Sequence, residues 1–332
     1  MRSQRPNLTD VAKRSNVSVS TASRVINGRS GVDQATRSAV WEAVRELKYV
    51  VVRNPDVLSG VLVVAPWVSF GNTYWQLIMS GILDEASKSS LPVTFCTAAS
   101  PQKVQSEVRS LLSRDGILGV ILACFPARIP LEEWLPKEPE AATVALLMGH
   151  EGNTVAIDMH RAVYQVTRHL LELGHTRVHL AINSTDWWSQ MQRLQGFTDA
   201  LGALGNSRQG RDHIHHVSLG RVSDWLSSLL AAPTPPTAII GGTSELSKLI
   251  HERVCRLAIQ VPAQLSFVGI GHARPWEERP FDTILQPSFD LGVAAVRALR
   301  RVVTRPNQTV RENLQAQVIR YGSVGAPPKS EF

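Results

Sequence analysis

Two rhythms of apolar and polar positions divide this chain. Over residues 7–49 apolar side chains recur every three or four positions in three short blocks, the spacing of one helical face. In LTDVAKRS that face is Leu8, Val11 and Ala12. Thr9 or Asn7 can supply a capping oxygen, and Asn16, which tolerates the left-handed region, stops the helix. In VSVSTASRVIN, Ser18 is placed to cap and Ala22, Val25 and Ile26 form the apolar side. Ser20, Thr21, Ser23, Arg24 and Asn27 then face outward. In VDQATRSAVWEAVRELKYV, Asp33 caps and Val40, Ala43, Val44 and Leu47 form the stripe. Two short helices joined by a tight turn, then a packing helix, read as a helix-turn-helix.

From Gly60 the rhythm changes. Strand-like runs appear at GVLVVAP (60–66), LPVTFCTAA (91–99), GVILACF (119–125), TVALLM (143–148) and NTVAID (153–158). More follow at VHLAIN (178–183), HIHHVSL (213–219), TAIIGG (237–242) and LSFVGIG (265–271). Helical-period segments separate them, among them YWQLIMSGILDEASKSS, AVYQVTRHLLELG, QMQRLQGFTDALGALG and FDLGVAAVRALRRVVT. This alternation predicts an α/β body of parallel sheets with helices on both faces. The organisation expected is a helix-turn-helix domain at 1–50, a short junction at 51–59 and a large α/β domain at 60–332.

Composition adds limits. The 332 residues are 43% apolar and 19% charged, as in an ordinary globular protein. No apolar run is long enough to span a bilayer, and the N-terminus lacks the apolar core of a secretory signal. Cys96, Cys124 and Cys255 are scattered, which fits a reducing cytoplasm and gives no metal-ligand spacing. Charge is lopsided. Of a net +7, residues 1–53 carry +6, from ten Lys/Arg and four Asp/Glu. Such a basic unit suits a polyanion, nucleic acid first; a solvated basic face is the alternative.

The second helix has the chemistry for a major groove, entered N-terminal end first. Ser and Thr hydroxyls bond phosphates without holding the helix away, and one Arg can donate two bonds to guanine O6 and N7. A small bundle with a serine-rich face is the competing reading. Glu and Lys would make that face a better helix.

Taken together, LTDVAKRSNVSVSTASRVINGRSGVDQATRSAVWEAVRELKY resembles the DNA-binding domain of the lactose-repressor (LacI/GalR) family of bacterial transcription regulators. It keeps that family's Asp10-Val11-Ala12, Val17-Ser18, Thr21, Ser23-Arg24-Val25, Asn27, Val32, Thr36-Arg37 and closing Tyr49. The resemblance implies base contacts from Val19, Ser20 and Arg24, and phosphate contacts from Thr9, Ser18, Thr21, Ser23 and Asn27. It extends loosely into the body through HLLELGHTRVHLAI, RLQGFTDAL, QVPAQLSFVGIG and LGVAAVRAL. There it implies a periplasmic-binding-protein-like body, with two Rossmann-like lobes and a ligand in the cleft. Crossovers are expected near 158–162, 285–289 and 318–321. One lobe would take about 60–157 and 290–318, the other about 160–287 and 319–332.

For the effector pocket the expected residues are Phe70, Tyr74, Trp75, Trp187, Arg193, His272 and Trp276. Aromatic faces stack on sugar or base rings, and an Arg among them pairs with anionic or carbonyl groups. The aromatics are equally readable as packing or dimer contacts, whereas Arg193 matches the family's R-x-x-G-[FY]. Two departures stand out. Thr243-Ser244 replace an Asn-Asp pair, and Gly271-His272 stand where an Asp follows the strand. Losing two acidic acceptors for sugar hydroxyls points to a sugar acid or phosphorylated metabolite over a plain neutral sugar. The junction departs too. The A-R-x-L of the family's hinge helix is missing, leaving Leu58 as the sole apolar wedge for a minor groove.

No metal or cofactor is expected. HIHH (213–216) puts neighbouring histidines on opposite faces of a strand, and His175 fits a helix-to-strand turn. No nucleophile elbow, P-loop or GxGxxG is present, so no catalytic residue is assigned. The sequence reading is a cytoplasmic, homodimeric, effector-controlled repressor that binds double-stranded DNA at a pseudo-palindromic operator and does not engage a membrane. A regulator answering to a protein partner instead of a small molecule is the alternative, and an α/β enzyme a third.

Overall fold

The structure is a computed structural model. It describes residues 6–27, 31–47, 49, 60–65, 73–97, 100–112, 117–123, 142–147, 152–184, 187–203, 212–271, 280–305 and 307–328. The N-terminal block folds as α1 (Leu8–Arg14), α2 (Val19–Ile26) and α3 (Gln34–Glu46). Each begins where a side-chain oxygen is available. Asn7 Oδ1 accepts from the N–H groups of Thr9 and Asp10 at 2.8 and 3.1 Å, and Asp10 accepts the N–H of Asn7 at 2.8 Å. That closes a capping box, so Asn7 and not Thr9 is the cap. Asn16 adopts φ 54° just past α1. Asp33 takes both the N–H and the hydroxyl of Thr36, which lowers its carboxyl below the usual range. The three apolar faces close on one another through Val11, Ala12, Ala22, Val25, Ile26, Val40, Ala43 and Val44.

The strands after the junction are β1 (Gly60–Val64), β2 (Val93–Cys96), β3 (Ile117–Leu122), β4 (Ala142–Leu146), β5 (Thr154–Ile157) and β6 (Val178–Ile182). They continue with β7 (Ile214–His216), β8 (Ala238–Gly241), β9 (Ser266–Gly271), β10 (Asp282–Leu285), β11 (Arg311–Leu314) and β12 (Gln317–Ile319). The helices between them are α4 (Thr73–Ser87), α5 (Pro101–Leu112), α6 (Met159–Glu172), α7 (Trp188–Ala203), α8 (Val222–Leu230), α9 (Ser244–Arg256) and α10 (Ser288–Thr304). The chain divides into two units, residues 1–156 with 288–312 and residues 157–287 with 313–332.

In the first unit the sheet order is β11-β5-β4-β3-β1-β2, with parallel pairing from β2 through β5. Leu62, Val64, Val120 and Leu122 bury one face of that sheet against Val104 and Val108 of α5. On α4, Glu85 is buried between Arg297, at 2.9 and 3.1 Å, and Lys88, at 3.1 Å. The Arg297 hydrogen bonds outweigh burial and hold its carboxyl below the usual range. In the second unit the order is β12-β10-β9-β8-β6-β7, parallel except for antiparallel β12. Ala181, Ile239 and Phe267 pack there against Val222 and Leu226 of α8 and Leu246 and Ile250 of α9.

Three strands differ from the sequence reading. β10 is four residues set between Pro280 and Pro287, β11 is four residues and largely polar, and β12 is only three residues long. Edge strands need no apolar run, because one side stays solvated. They also move the third crossover. β11 belongs to the first sheet and β12 to the second, so the chain passes over between 314 and 317, ahead of the expected 318–321. The junction at 51–59, with Leu58, lies outside the described residues.

Candidate functional site

The basic N-terminal unit presents α2 as its polar edge. Ser18 Oγ accepts the N–H of Thr21 at 3.0 Å and sits 2.8 Å from the hydroxyls of both Ser20 and Thr21. One hydroxyl therefore caps the helix and orders two others at its N-terminal end. Val19 is 44% exposed, Ser20 and Arg24 are exposed, and Ala22, Val25 and Ile26 are buried. Arg24's guanidinium lies beside Gly31, where an added Cβ would come within 3.1 Å of its Nη2. Asn27 donates to the carbonyl and hydroxyl of Ser23 at 2.9 and 3.2 Å, so these two expected phosphate contacts also close the end of α2. Thr9 is exposed on the first turn of α1. The arrangement offers one apolar surface, hydroxyls that can donate or accept, and one fork of N–H donors along one helix. That is a set suited to base edges and phosphates.

A second polar face lies at the carboxyl ends of the second unit's parallel strands, where open α/β sheets bind ligands. Following β6, Gln190 Nε2 donates to Asn183 Oδ1 at 2.6 Å. Arg193, on α7, is only 6% exposed. Its Nη1 donates to the Gly242 carbonyl at 2.9 Å and its Nη2 to Gln286 at 3.2 Å. The arginine expected for an effector thus links the strand ends β8 and β10. Ser247 Oγ reaches the carbonyls of Gly241 and Thr243 at 3.0 and 2.6 Å and accepts the Ile270 N–H at 2.9 Å. Gly271 has φ 130°, and a Cβ there would lie 2.6 Å from the Ser244 Cβ. The absent aspartate at that place is therefore a steric requirement of this backbone. Ser244 in turn donates to Glu245 at 3.2 Å, so an acid missed in the sequence reading stands near this strand end.

Of the expected aromatic residues, Tyr74 and Trp75 meet edge to face on the first turn of α4 in the first unit, 5.4 Å between centroids. Trp187 is half-buried and accepts the N–H of Gln190 just before α7. Phe70, His272 and Trp276 lie outside the described residues. Gln286 was missed because its partner Arg193 lies 93 positions away; Asn183, Gln190 and Glu245 bond to near neighbours and carry no motif that marks them. A scan for polar residues just after each strand would have found Asn183 and Gln286.

The histidines of HIHH form a different group. Register pairs His215 with Ala181, on the same face as His179. His179 Nδ1 lies 2.7 Å from His215 Nε2, its ring stacks on His213 at 4.5 Å, and Trp225 covers His215 at 5.4 Å. Burial, then the neighbouring imidazoles and Arg177, push His179 down to about 3. Burial also lowers His213 and His215. Among the described residues no group of three or more His, Cys, Asp or Glu is set to hold a metal. His175 joins Thr237 Oγ1 and the Gly325 carbonyl, both at 2.9 Å, and so fastens the C-terminal segment. No helix among the described residues is long and apolar enough to cross a membrane.

Comparison with known proteins matches both parts of the chain. Residues 7–51 match the model of bacterial regulatory proteins of the lacI family, and residues 167–324 match a periplasmic binding protein-like domain. The chain is 26% identical to the HTH-type transcriptional repressor PurR of Aliivibrio salmonicida (strain LFI1238), over 88% of this chain and 90% of the relative. It is 24% identical to the ribose operon repressor of Escherichia coli (strain K12), over 90% and 93%. Among solved structures it superposes on a transcriptional regulator CelR–cellobiose complex with a TM-score of 0.68 at 24% identity, covering 96% of this chain and all of that one. The lac repressor dimer bound to operator and the anti-inducer ONPF gives 0.67 at 20% identity, covering 97% and 100%. These structural likenesses establish the shared fold.

Proposed function

We propose that this chain, whose residues 7–51 match the model of bacterial regulatory proteins of the lacI family, is a homodimeric repressor of transcription acting in the cytoplasm. Two copies of α2 read a pseudo-palindromic operator, and a small polar molecule sets the affinity. The observation that carries the DNA half is α2 itself: Val19, Ser20 and Arg24 exposed on a helix whose other side is sealed in the core. One such helix touches few bases, and two-fold pairing doubles them. Arg24 would supply the bidentate contact to guanine, Val19 would pack on a thymine methyl, and the ordered hydroxyls of Ser18, Ser20 and Thr21 would take phosphates or base edges.

The effector half is supported by the strand-end face with Asn183, Gln190, Arg193 and Gln286. Arginine with amides suits a ligand bearing both hydroxyls and an anionic group, a sugar acid or phosphorylated sugar, and Glu245 adds an acceptor for hydroxyls. The ribose operon repressor and the cellobiose-bound CelR make a carbohydrate-derived effector the reading to test first. Control then rests on the effector's different affinities for DNA-binding and non-binding forms. No acid/base or nucleophile constellation was recognised in the sequence, so the protein is read as a regulator and not an enzyme.

A panel of neutral sugars, sugar acids and sugar phosphates, screened by thermal shift and then by release of operator duplex, tests this. A member that raises the melting temperature and changes operator affinity supports the reading. Stabilisation by neutral sugars alone would reject the anionic class. A panel with no active member would favour a second reading, supported by Arg193's bonds to Gly242 and Gln286, in which that arginine is a structural strut and a protein partner supplies the control.

A further inference from the structure

A hollow of about 180 Å³ lies wholly within the second unit, between α6 and the segment that carries β12. None of Asn183, Gln190, Arg193 or Gln286 lines it, so it is separate from the strand-end face. Its floor is apolar, with Val268 of β9 and Val318 of β12 among its members, and Gln165, His169, Asp282 and Arg320 provide its charge and polarity.

The hollow's two formal charges, on Arg320 and Asp282, form no ion pair with each other among the described residues. Arg320 Nη1 donates to His169 Nε2 at 2.7 Å. An imidazole nitrogen that accepts from a guanidinium carries no proton, and burial together with Arg320 pushes His169 down. His169 therefore orients the guanidinium without opposing or adding charge. Asp282 is the acid in the hollow. Its Oδ1 already accepts three backbone N–H groups, from Tyr321, Gly322 and Ser323, at 2.7, 2.8 and 3.0 Å. Those three N–H dipoles occupy that oxygen and face the carboxylate's charge, which they stabilise without removing. The ion pairs of this unit among the described residues join His160 to Asp199, Arg168 to Glu172, Arg221 to Asp224 and Lys248 to Glu252; Arg320 is in none of them. A cation held by a neutral ring at the mouth of a valine-floored hollow is half of an amphiphile's binding site.

We propose that this hollow binds a small carboxylate with a short branched alkyl body, its carboxylate on Arg320 and its alkyl end on the valine floor. The volume is below that of a drug-sized pocket and admits roughly seven to ten non-hydrogen atoms at protein packing density. The many hydroxyls of a sugar phosphate do not suit its valine floor. Both walls, α6 and β12, begin close to where the chain enters this unit, at Ile157 and between 314 and 317. A bound carboxylate braces those two entries and raises the unit's melting temperature.

The test is calorimetric titration of the full chain with 3-methylbutanoate and, as its uncharged counterpart, 3-methylbutanamide. Saturable binding of the carboxylate is expected, with the amide at least about tenfold weaker, the size of a charged hydrogen bond. Arg320→Gln, at an exposed side chain, is expected to weaken the carboxylate to the amide's level. Its operator affinity without carboxylate should stay at the wild-type value. No saturable heat, equal binding of acid and amide, or carboxylate binding that survives in R320Q would each overturn the proposal. The amide comparison needs no variant, so it stands even where R320Q folds poorly.

Discussion

Acidification from pH 7.5 to 5 should weaken the second unit through His179. The residue is 7% exposed, its ring bonded to His215 and stacked on His213, and burial pushes its pKa down from the ordinary 6.5 to about 3. A histidine depressed on folding contributes stability that is complete above the unfolded value. That stability is lost as pH falls towards the folded one. At pH 5 the unfolded chain binds this proton and the folded chain does not, a loss of about 2 kcal/mol from His179 alone. His213 and His215, also lowered, add in the same direction, and Asp212 partly opposes the change at His213. In urea unfolding followed by circular dichroism, that is a fall in midpoint of roughly 0.7 to 2 M. His179→Asn keeps a donor near Nδ1 but cannot take the proton. The variant should be less stable than wild type at pH 7.5 and should lose about 2 kcal/mol less on acidification. Equal pH dependence in both proteins would refute the assignment of the buried neutral imidazole.

Other expectations follow from single residues. Arg24→Ala should lower affinity for the selected operator by roughly 10- to 100-fold while leaving salt-sensitive binding to random duplex nearly unchanged, read by fluorescence anisotropy. Ser18→Ala removes the cap of α2 and should cost the N-terminal domain about 1 kcal/mol, measured by thermal melting of full-length protein. At Gly196 a Cβ would overlap the His160 carbonyl, so Gly196→Ala should separate α6 from α7 and cost roughly 1 to 3 kcal/mol. Gly271→Asp would meet Ser244 at positive φ. Calorimetry should find it destabilised and without new affinity for neutral sugars.

The N-terminal domain was legible almost residue by residue. Its caps, apolar faces and stop at Asn16 depend on neighbours within four positions, which a sequence displays directly. The body's buried strands were legible for a related reason. GVLVV and VHLAI, covered on both faces, read as continuous apolar runs. β10, β11 and β12 were not legible, because polar or brief strands are defined by the distant partners they pair with. The same limit applied to the second site. Arg193 was marked from its motif, yet its partners Gly242 and Gln286 are 49 and 93 positions away. Its burial, as a link between strand ends, is a property of the fold. Gly271 shows the reverse case, in which a residue that looked like a lost acceptor proved to be demanded by a backbone angle. His179, 36 positions from His215, turned an unremarkable HIHH into a buried cluster.

The central claim, a dimer reading DNA through α2, is tested most directly by selecting binding sites from random duplex DNA with the purified full chain at a stated salt concentration. The account predicts enrichment of a pseudo-palindrome whose half-sites lose their consensus when Arg24 is replaced by alanine. Enrichment of nothing, with only salt-sensitive non-specific binding, or of a consensus that Arg24→Ala leaves intact, would contradict it.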